Sequence, residues 1–351
     1  MHLRSQTPES LAEAFPGLSL PLARRVLHRV VGEDRDDLDG VRGLSKALAG
    51  ELRARGRLDR LQVLDRRRSV VDPFVKYLFR SGDGRVFEAV RIPLERPRFS
   101  VCLSTQVGCA LGCAFCETGR LGFLRNLEPW EMVEQALTVR RESPERPLTG
   151  AVFQGQGEPF QNYDNVIRAA RILRDPSGPR IGADRISIST VGLLPQIERY
   201  TEERHPYRLM LSLTSAFSAK RERLVPITAR YGVPDLAAAM RRHAAARGAP
   251  VSLAWVLIAG FNTGPEEARE LGRLFRGVAV RLSVIEVNDP SGTFARATDE
   301  ERGRFLSALA ENGIGFVRRY SGGPDIHAAC GMLASRTRGG EAHEPKAPPP
   351  S

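Results

Sequence analysis

Residues 102–120 read CLSTQVGCALGCAFCETGR, and the spacing of the last three cysteines decides the fold. Cys109, Cys113 and Cys116 stand as C-x3-C-x2-C, just after an apolar segment, 99–104, that reads as a strand. Three thiolates this close in one loop can hold three irons of a four-iron cluster and leave the fourth without a protein ligand. An open coordination position suits a reactive site, whereas a structural site closes its shell. A zinc knot of three cysteines and one histidine is the competing reading. Against it, the six histidines, at 2, 28, 205, 243, 327 and 343, lie far from this loop in sequence. Structural zinc sites also tend to pair two short Cys-Cys spacings, and one is present here.

Outward from the loop, the texture alternates. Strands are expected over 99–104, 150–154, 185–190, 208–213, 251–258, 278–287 and 314–318. Amphipathic helices are expected over 128–141, 163–173, 194–200, 234–246, 265–275 and 298–311. This rhythm predicts an α/β fold with a parallel sheet, either a partial (β/α) barrel or an open doubly wound sheet. Either form gathers its ligands at the C-terminal ends of the strands. Upstream, 11–15, 20–31 and 41–55 carry helical periodicity. Segments 75–79 and 85–92 flank Gly82-Asp83-Gly84, a hairpin signal. Four units are expected: a helical accessory domain (1–70), a β-hairpin and linker carrying Glu88 (71–97), the barrel (98–336) and a disordered Pro/Gly-rich tail (337–351).

Of the 351 residues, 42% are hydrophobic and 26% charged, which excludes a disordered or collagen-like chain. The longest apolar stretch, 251–261, is too short to span a bilayer. MHLRSQTPES lacks the apolar core of a secretory signal, so a reducing cytoplasm is expected, where cysteines bind metal or do chemistry. The formal charge is +11, and only four of the 52 basic residues are lysine. Arginine pairs with phosphate through a planar fork, which fits a nucleic-acid partner. A genomic bias toward arginine codons accounts for the composition equally well.

Further segments carry a resemblance. These are VFEAVRIP (86–93), GQGEP (155–159), RISISTVG (185–192), RLMLSLTSA (208–216), VIEVN (284–288) and DIHAACGML (325–333). Together with residues 102–127 they make the chain, from 74 to 335, resemble the RlmN/Cfr family of radical S-adenosylmethionine RNA methyltransferases. The aromatic Phe115 before Cys116 belongs to the superfamily's signature. The resemblance implies a partial barrel of the radical S-adenosylmethionine type. It implies that Cys109, Cys113 and Cys116 ligate a 4Fe-4S cluster. It also implies that Gly157, Glu158, Ser189, Ser212, Leu213, Thr214 and Asn288 bind S-adenosylmethionine, two molecules per turnover. One methylates Cys330; the second yields a 5′-deoxyadenosyl radical that takes a hydrogen from the new methyl group. The carbon then adds to an adenine ring carbon, C2 with C8 as the alternative, of ribosomal or transfer RNA. Glu88 would accept the ring proton. Cys102 would release the product by attacking the Cys330 sulfur, leaving a transient disulfide between the two.

An external electron donor, a thiol reductant and an RNA substrate follow from the same resemblance. No membrane partner is expected, and a monomer is the simplest state. RNA contacts are expected from Arg66, Arg67, Arg68, Arg96, Arg98, Arg125, Arg318 and Arg319. The chain departs from the family pattern at Thr214, where His is frequent. Gln154 and Gln156 replace apolar residues, Glu117 a small one and Pro324 an acidic one. Two other classes stay open on the sequence: a radical enzyme acting on a small molecule or protein, and a zinc-containing RNA-binding module.

Overall fold

The computed structural model describes residues 1–95 and 97–334. Ten strands form one sheet in the order β1 (Gln62–Arg68), β2 (Val75–Arg80), β3 (Val86–Pro93), β4 (Phe99–Leu103), β7 (Leu148–Phe153), β8 (Ile186–Thr190), β9 (Arg208–Ser212), β10 (Val251–Leu257), β11 (Val280–Glu286) and β12 (Gly315–Arg318). The first four are antiparallel neighbours, and from β4 onward every pairing is parallel. A separate ribbon, β5 (Gln106–Gly108) with β6 (Phe123–Asn126), brackets the cysteine loop. Helices α1 (Pro8–Ala14), α2 (Leu20–Leu27) and α3 (Lys46–Arg55) precede the sheet. The others, α4 (Glu117–Arg120), α5 (Pro129–Arg141), α6 (Tyr163–Arg174), α7 (Leu194–Glu202), α8 (Ser218–Leu224), α9 (Val233–Arg247), α10 (Pro265–Leu274) and α11 (Asp299–Glu311), lie between the strands in sequence.

The parallel strands alternate between a core-facing and a cavity-facing side. Val101, Phe153, Ile188, Leu211, Leu253 and Leu282 are fully buried and join one core with the inner faces of the helices. Each contributes about 1.5–3 kcal/mol of apolar burial. Many intervening positions are small or polar: Ser100, Gly150, Ser187, Ser252 and Ser283 line a single cavity, together with Val152 and Met210. One cavity wall drawn from β4, β7, β8, β10 and β11 requires the sheet to curl on itself. The fold is therefore the α/β partial barrel that the alternation predicts. Leu211→Ala would open a hole in the outer layer at a cost of about 2–5 kcal/mol.

The expected hairpin is β2–β3, with Gly84 at φ +81 closing its turn. It is not separate from the barrel, because β3 pairs directly with β4. Strand β1 falls inside the stretch that reads as helical. Its residues Asp65, Arg66, Arg67 and Arg68 sit on the sheet edge, where strands carry charge rather than alternating apolar residues. The tail 337–351 lies outside the described residues. No helix among the described residues is long and apolar enough to cross a membrane.

Candidate functional site

The cysteine loop leaves the C-terminal end of β4 and returns through β6. Gly108 makes this path available: at φ +73, an added Cβ would lie 1.8 Å from the Gly122 carbonyl oxygen. The Cys109 N–H then donates to that same oxygen at 2.9 Å, and the Cys116 N–H donates to the Cys113 carbonyl at 3.0 Å. The three thiols share the wall of a cavity of about 130 Å3 at the C-terminal ends of the strands. Burial pushes all three toward the neutral thiol, Cys109 up to about 12, and the neighbouring cysteines raise Cys113 further. A bound cation cluster reverses that bias, since coordination removes the thiol proton.

Beneath the loop lies Arg221, wholly buried. Its Nε donates to Leu213 O at 2.8 Å, Nη1 to Thr228 Oγ1 at 2.7 Å, and Nη2 to Ser212 O at 3.0 Å and to Val191 O. Burial lowers its pKa to about 10, and Cys113 and Glu158 are the nearby groups that favour its charge. This donor set fits a thiolate-held cluster, with three converging thiols, one common cavity and a fixed cation beside them. Among the described residues, no group of three or more His, Cys, Asp or Glu is arranged around a single ion.

The same cavity is lined by Gly157, Glu158, Ser189, Ser212 and Asn288. Gly157 sits at φ +97 with the Gln106 backbone so close that a Cβ would clash at 2.8 Å. Glu158 is buried, which raises its pKa, and both oxygens are used: Oε1 accepts from Phe160 N–H at 2.9 Å and Oε2 from Val191 N–H at 3.0 Å. It thus ties the β7 turn to the β8 turn. Leu213 and Thr214 do not line the cavity. Leu213 is buried in the core. Thr214 is turned aside at φ +63, is fully buried, and has no partner for its hydroxyl. Gln154 and Glu286 do line the cavity, and sequence reasoning gave neither a role there. Each ends or follows a parallel strand, which is the signal that could have found them.

Cys330 lines this cavity and also a second, of about 90 Å3, that Cys102 lines. All five cysteines are free thiols. Cys102 is pushed up to about 12, first by burial and then by Cys330 beside it. The segment carrying Cys330 is strapped down along its length. Glu117 N–H donates to Gly331 O and Thr118 Oγ1 to Leu333 O, both at 2.7 Å. Cys330 N–H donates to Ser321 Oγ at 2.8 Å. Glu88 lies on β3, 1% exposed, and its Oε2 accepts from Ala334 N–H at 2.9 Å. Its Oε1 meets Lys76 Nζ at 2.8 Å, a residue the sequence did not single out.

The expected RNA-binding arginines divide into two groups. Arg66 pairs with Glu142, Arg67 with Asp65 at 2.8 Å, and Arg125 with Glu131 at 2.8 Å. Arg98, Arg318 and Arg319 instead face a large cavity at the other end of the barrel, and Arg68 is exposed. Arg96 lies outside the described residues.

A partial barrel with this loop is the architecture of the radical SAM superfamily, whose profile matches residues 103–274. The chain is 38% identical to a radical SAM methyltransferase from Sphaerobacter thermophilus of known structure, with a TM-score of 0.87, covering 96% of this chain and 100% of that one. It is 49% identical to a protein named "Probable RNA methyltransferase" from Anaeromyxobacter sp. (strain Fw109-5), over 96% of this chain and all of the relative. It is 37% identical to the "Dual-specificity RNA methyltransferase RlmN" of Syntrophotalea carbinolica, over 95% of this chain and 90% of the relative. The chain belongs to the RlmN-type RNA methyltransferase family within the radical SAM superfamily. Membership implies a methyltransferase that uses a 4Fe-4S cluster and S-adenosylmethionine.

Proposed function

We propose that this enzyme transfers a one-carbon unit to a ring carbon of adenine in RNA, C2 in the first instance, with Cys330 as the covalent carrier. The observation that carries this reading is the placement of Cys330. With Cys116, Thr118, Gln154, Gly155 and Gly331 it lines both the cavity of the cysteine loop and the chamber of Cys102. A carbon on its sulfur can face either side.

Cys109, Cys113 and Cys116 would hold the cluster, and Gly157, Glu158, Ser189, Ser212 and Asn288 the S-adenosylmethionine. When bound, these groups supply the methyl donor and the one-electron chemistry that activates a methyl carbon. The chain does the rest. Cys330 accepts the methyl group as a thiolate. Glu88, kept out of solvent by the strand pair β2–β3, takes the ring proton, and the unpaired electron this leaves on the adduct would return to the redox group that the three cysteines would hold. Cys102 attacks the Cys330 sulfur; the sulfur–carbon bond breaks, its electron pair stays on the nucleotide carbon, and a proton completes the methyl group. The disulfide that remains needs an external thiol. Two S-adenosylmethionine molecules are consumed per turnover in this scheme.

The deciding experiment is mass spectrometry of the tryptic peptide 320–336 after anaerobic expression with iron and sulfide. A single added methyl on Cys330 is expected. An unmodified Cys330 in protein with a full cluster would overturn the carrier scheme and favour a radical enzyme of another kind. Nucleoside analysis of total RNA treated with the enzyme then separates 2-methyladenosine from 8-methyladenosine.

A further inference from the structure

A cavity of about 730 Å3 occupies the N-terminal end of the barrel, opposite the cysteine loop, and the scheme above leaves it unused. Its wall carries six arginines, Arg98, Arg185, Arg208, Arg281, Arg318 and Arg319, against three carboxylates, Asp72, Glu95 and Asp184. Four come from the starts of parallel strands, and Arg318 and Arg319 from the end of β12. Arg98 and Arg185 precede β4 and β8, Arg208 opens β9 and Arg281 is the second residue of β11. In register Arg208 stands beside Ser187 and Arg281 beside Ser252, on the concave face. Among the described residues none of the six forms an ion pair with a carboxylate; Arg208 donates to the Asp184 backbone oxygen at 3.1 Å.

Three buried polar atoms in the same wall have no hydrogen-bond partner: Arg98 Nε, Thr149 Oγ1 and Ser187 Oγ. Ser187 is only 8% exposed. Unpaired like charge beside unsatisfied buried donors is costly, and an anion with several acceptor oxygens relieves both. The cavity also shares Phe74, Ile92, Arg319 and Tyr320 with the chamber of Cys102 and Cys330, so the two lie side by side. Tyr320 stands at that junction, 65% exposed, its hydroxyl donating to Asp72 at 2.8 Å.

We propose that this mouth docks the sugar–phosphate backbone of RNA. Phosphates flanking the target nucleotide lie against Arg98, Arg208 and Arg281. The unstacked base passes Tyr320, which offers it a stacking face, and enters the Cys102–Cys330 chamber from below. The inference rests on the RNA reading above, and it places the partner on the barrel end that usually serves stability alone.

The test uses an Arg208→Gln/Arg281→Gln double variant of the full chain with its cluster. Cys330 methylation by S-adenosylmethionine without RNA is expected to match the unmutated enzyme. Binding of a short fluorescein-labelled oligoadenylate is expected to weaken roughly tenfold or more, and the slope of log affinity against log salt to shallow by about 1.4, two lost phosphate contacts. Arg208→Lys/Arg281→Lys keeps the charges and is expected to keep the slope. Normal Cys330 loading with unchanged affinity and slope in the Gln variant would overturn the docking site and leave the carrier scheme standing. Failure of the unmutated enzyme to load Cys330 sinks the carrier scheme instead, and the slope still judges the mouth. Adenosine monophosphate competing as strongly as the oligonucleotide would overturn backbone docking in favour of a mononucleotide site.

Discussion

Lys76 Nζ stands 2.8 Å from Glu88 Oε1, with the two side chains 6% and 1% exposed. The pair grips the segment bearing Cys330 on both sides: Lys76 also donates to His327 O at 3.2 Å, and Glu88 Oε2 accepts from Ala334 N–H at 2.9 Å. Under the proposed scheme, a base and its counter-charge are built into the clamp that holds the carrier.

Lys76→Met would leave a buried carboxylate without its cation, which costs about 3–5 kcal/mol in such pairs. A large drop in melting temperature is expected. Lys76→Met/Glu88→Met removes both charges and should recover much of that stability. It should not recover turnover, because the proton acceptor is gone. A double variant as unstable as the single one would show that the pair is not a self-contained unit. Measuring melting and methyl transfer on the same samples separates the structural role from the chemical one.

Cys102→Ala should leave Cys330 able to accept its methyl group yet unable to release the nucleotide. The expected product is protein covalently joined to RNA, seen as a ribonuclease-sensitive shift on a denaturing gel. In the unmutated enzyme the Cys102 thiol, pushed up to about 12 by burial and by Cys330, is protonated at neutral pH. The nucleophile is the thiolate. Release measured in a single turnover should therefore accelerate by up to about tenfold per pH unit between pH 7 and 9, provided the thiolate fraction limits it. A pH-independent release would mean that another group deprotonates Cys102 during the reaction.

What the sequence made legible follows from the strength of each local signal. The seven parallel strands were readable because their outward residues, such as Phe153, Ile188 and Leu253, are uniformly apolar and separated by amphipathic helices. Strand β1 was not, because an edge strand rich in arginine has no alternation to show. Lys76 was invisible as a partner of Glu88 until hairpin register placed Leu78 opposite Glu88 and Val90 opposite Lys76. Arg208 and Arg281 each look like solvated charges alone; only the curled sheet brings them to one mouth. Leu213 and Thr214 came from resemblance; neither lines the cavity, and Thr214 sits at φ +63.

Arg221 ties the β8 and β9 ends together, beside Cys113 of the cysteine loop, through a planar fork that lysine cannot copy. Arg221→Lys should fold, since the charge stays near Cys113 and Glu158. It should nonetheless hold less iron per chain after anaerobic reconstitution, because Val191 and Ser212 lose their donor and the strand ends loosen. Arg221→Met should also melt earlier by about 3 kcal/mol or more, its carbonyl partners left unsatisfied in the core. Full iron occupancy in the lysine variant would show that the fork does not position the loop.

Two histidines set an acid limit on the fold. Burial lowers His2 and His243 to about 4. Neutral His2 stacks on Trp130 at 4.3 Å and accepts the Arg4 N–H at Nδ1, which a protonated ring cannot do. His243 Nδ1 meets Thr201 Oγ1 at 3.0 Å in the packing beneath α7. Above about pH 6.5 both rings are neutral folded or unfolded, so neither affects stability there. As pH falls below 6.5 the unfolded chain takes up protons that the folded one refuses, and stability is lost until about pH 4. Each ring contributes up to about 3 kcal/mol of that loss. Melting temperatures of the unmutated protein should fall steeply over this window. A His2→Gln/His243→Gln variant should start lower at neutral pH and show a flatter descent. Parallel curves for the two proteins would assign the acid limit to other groups.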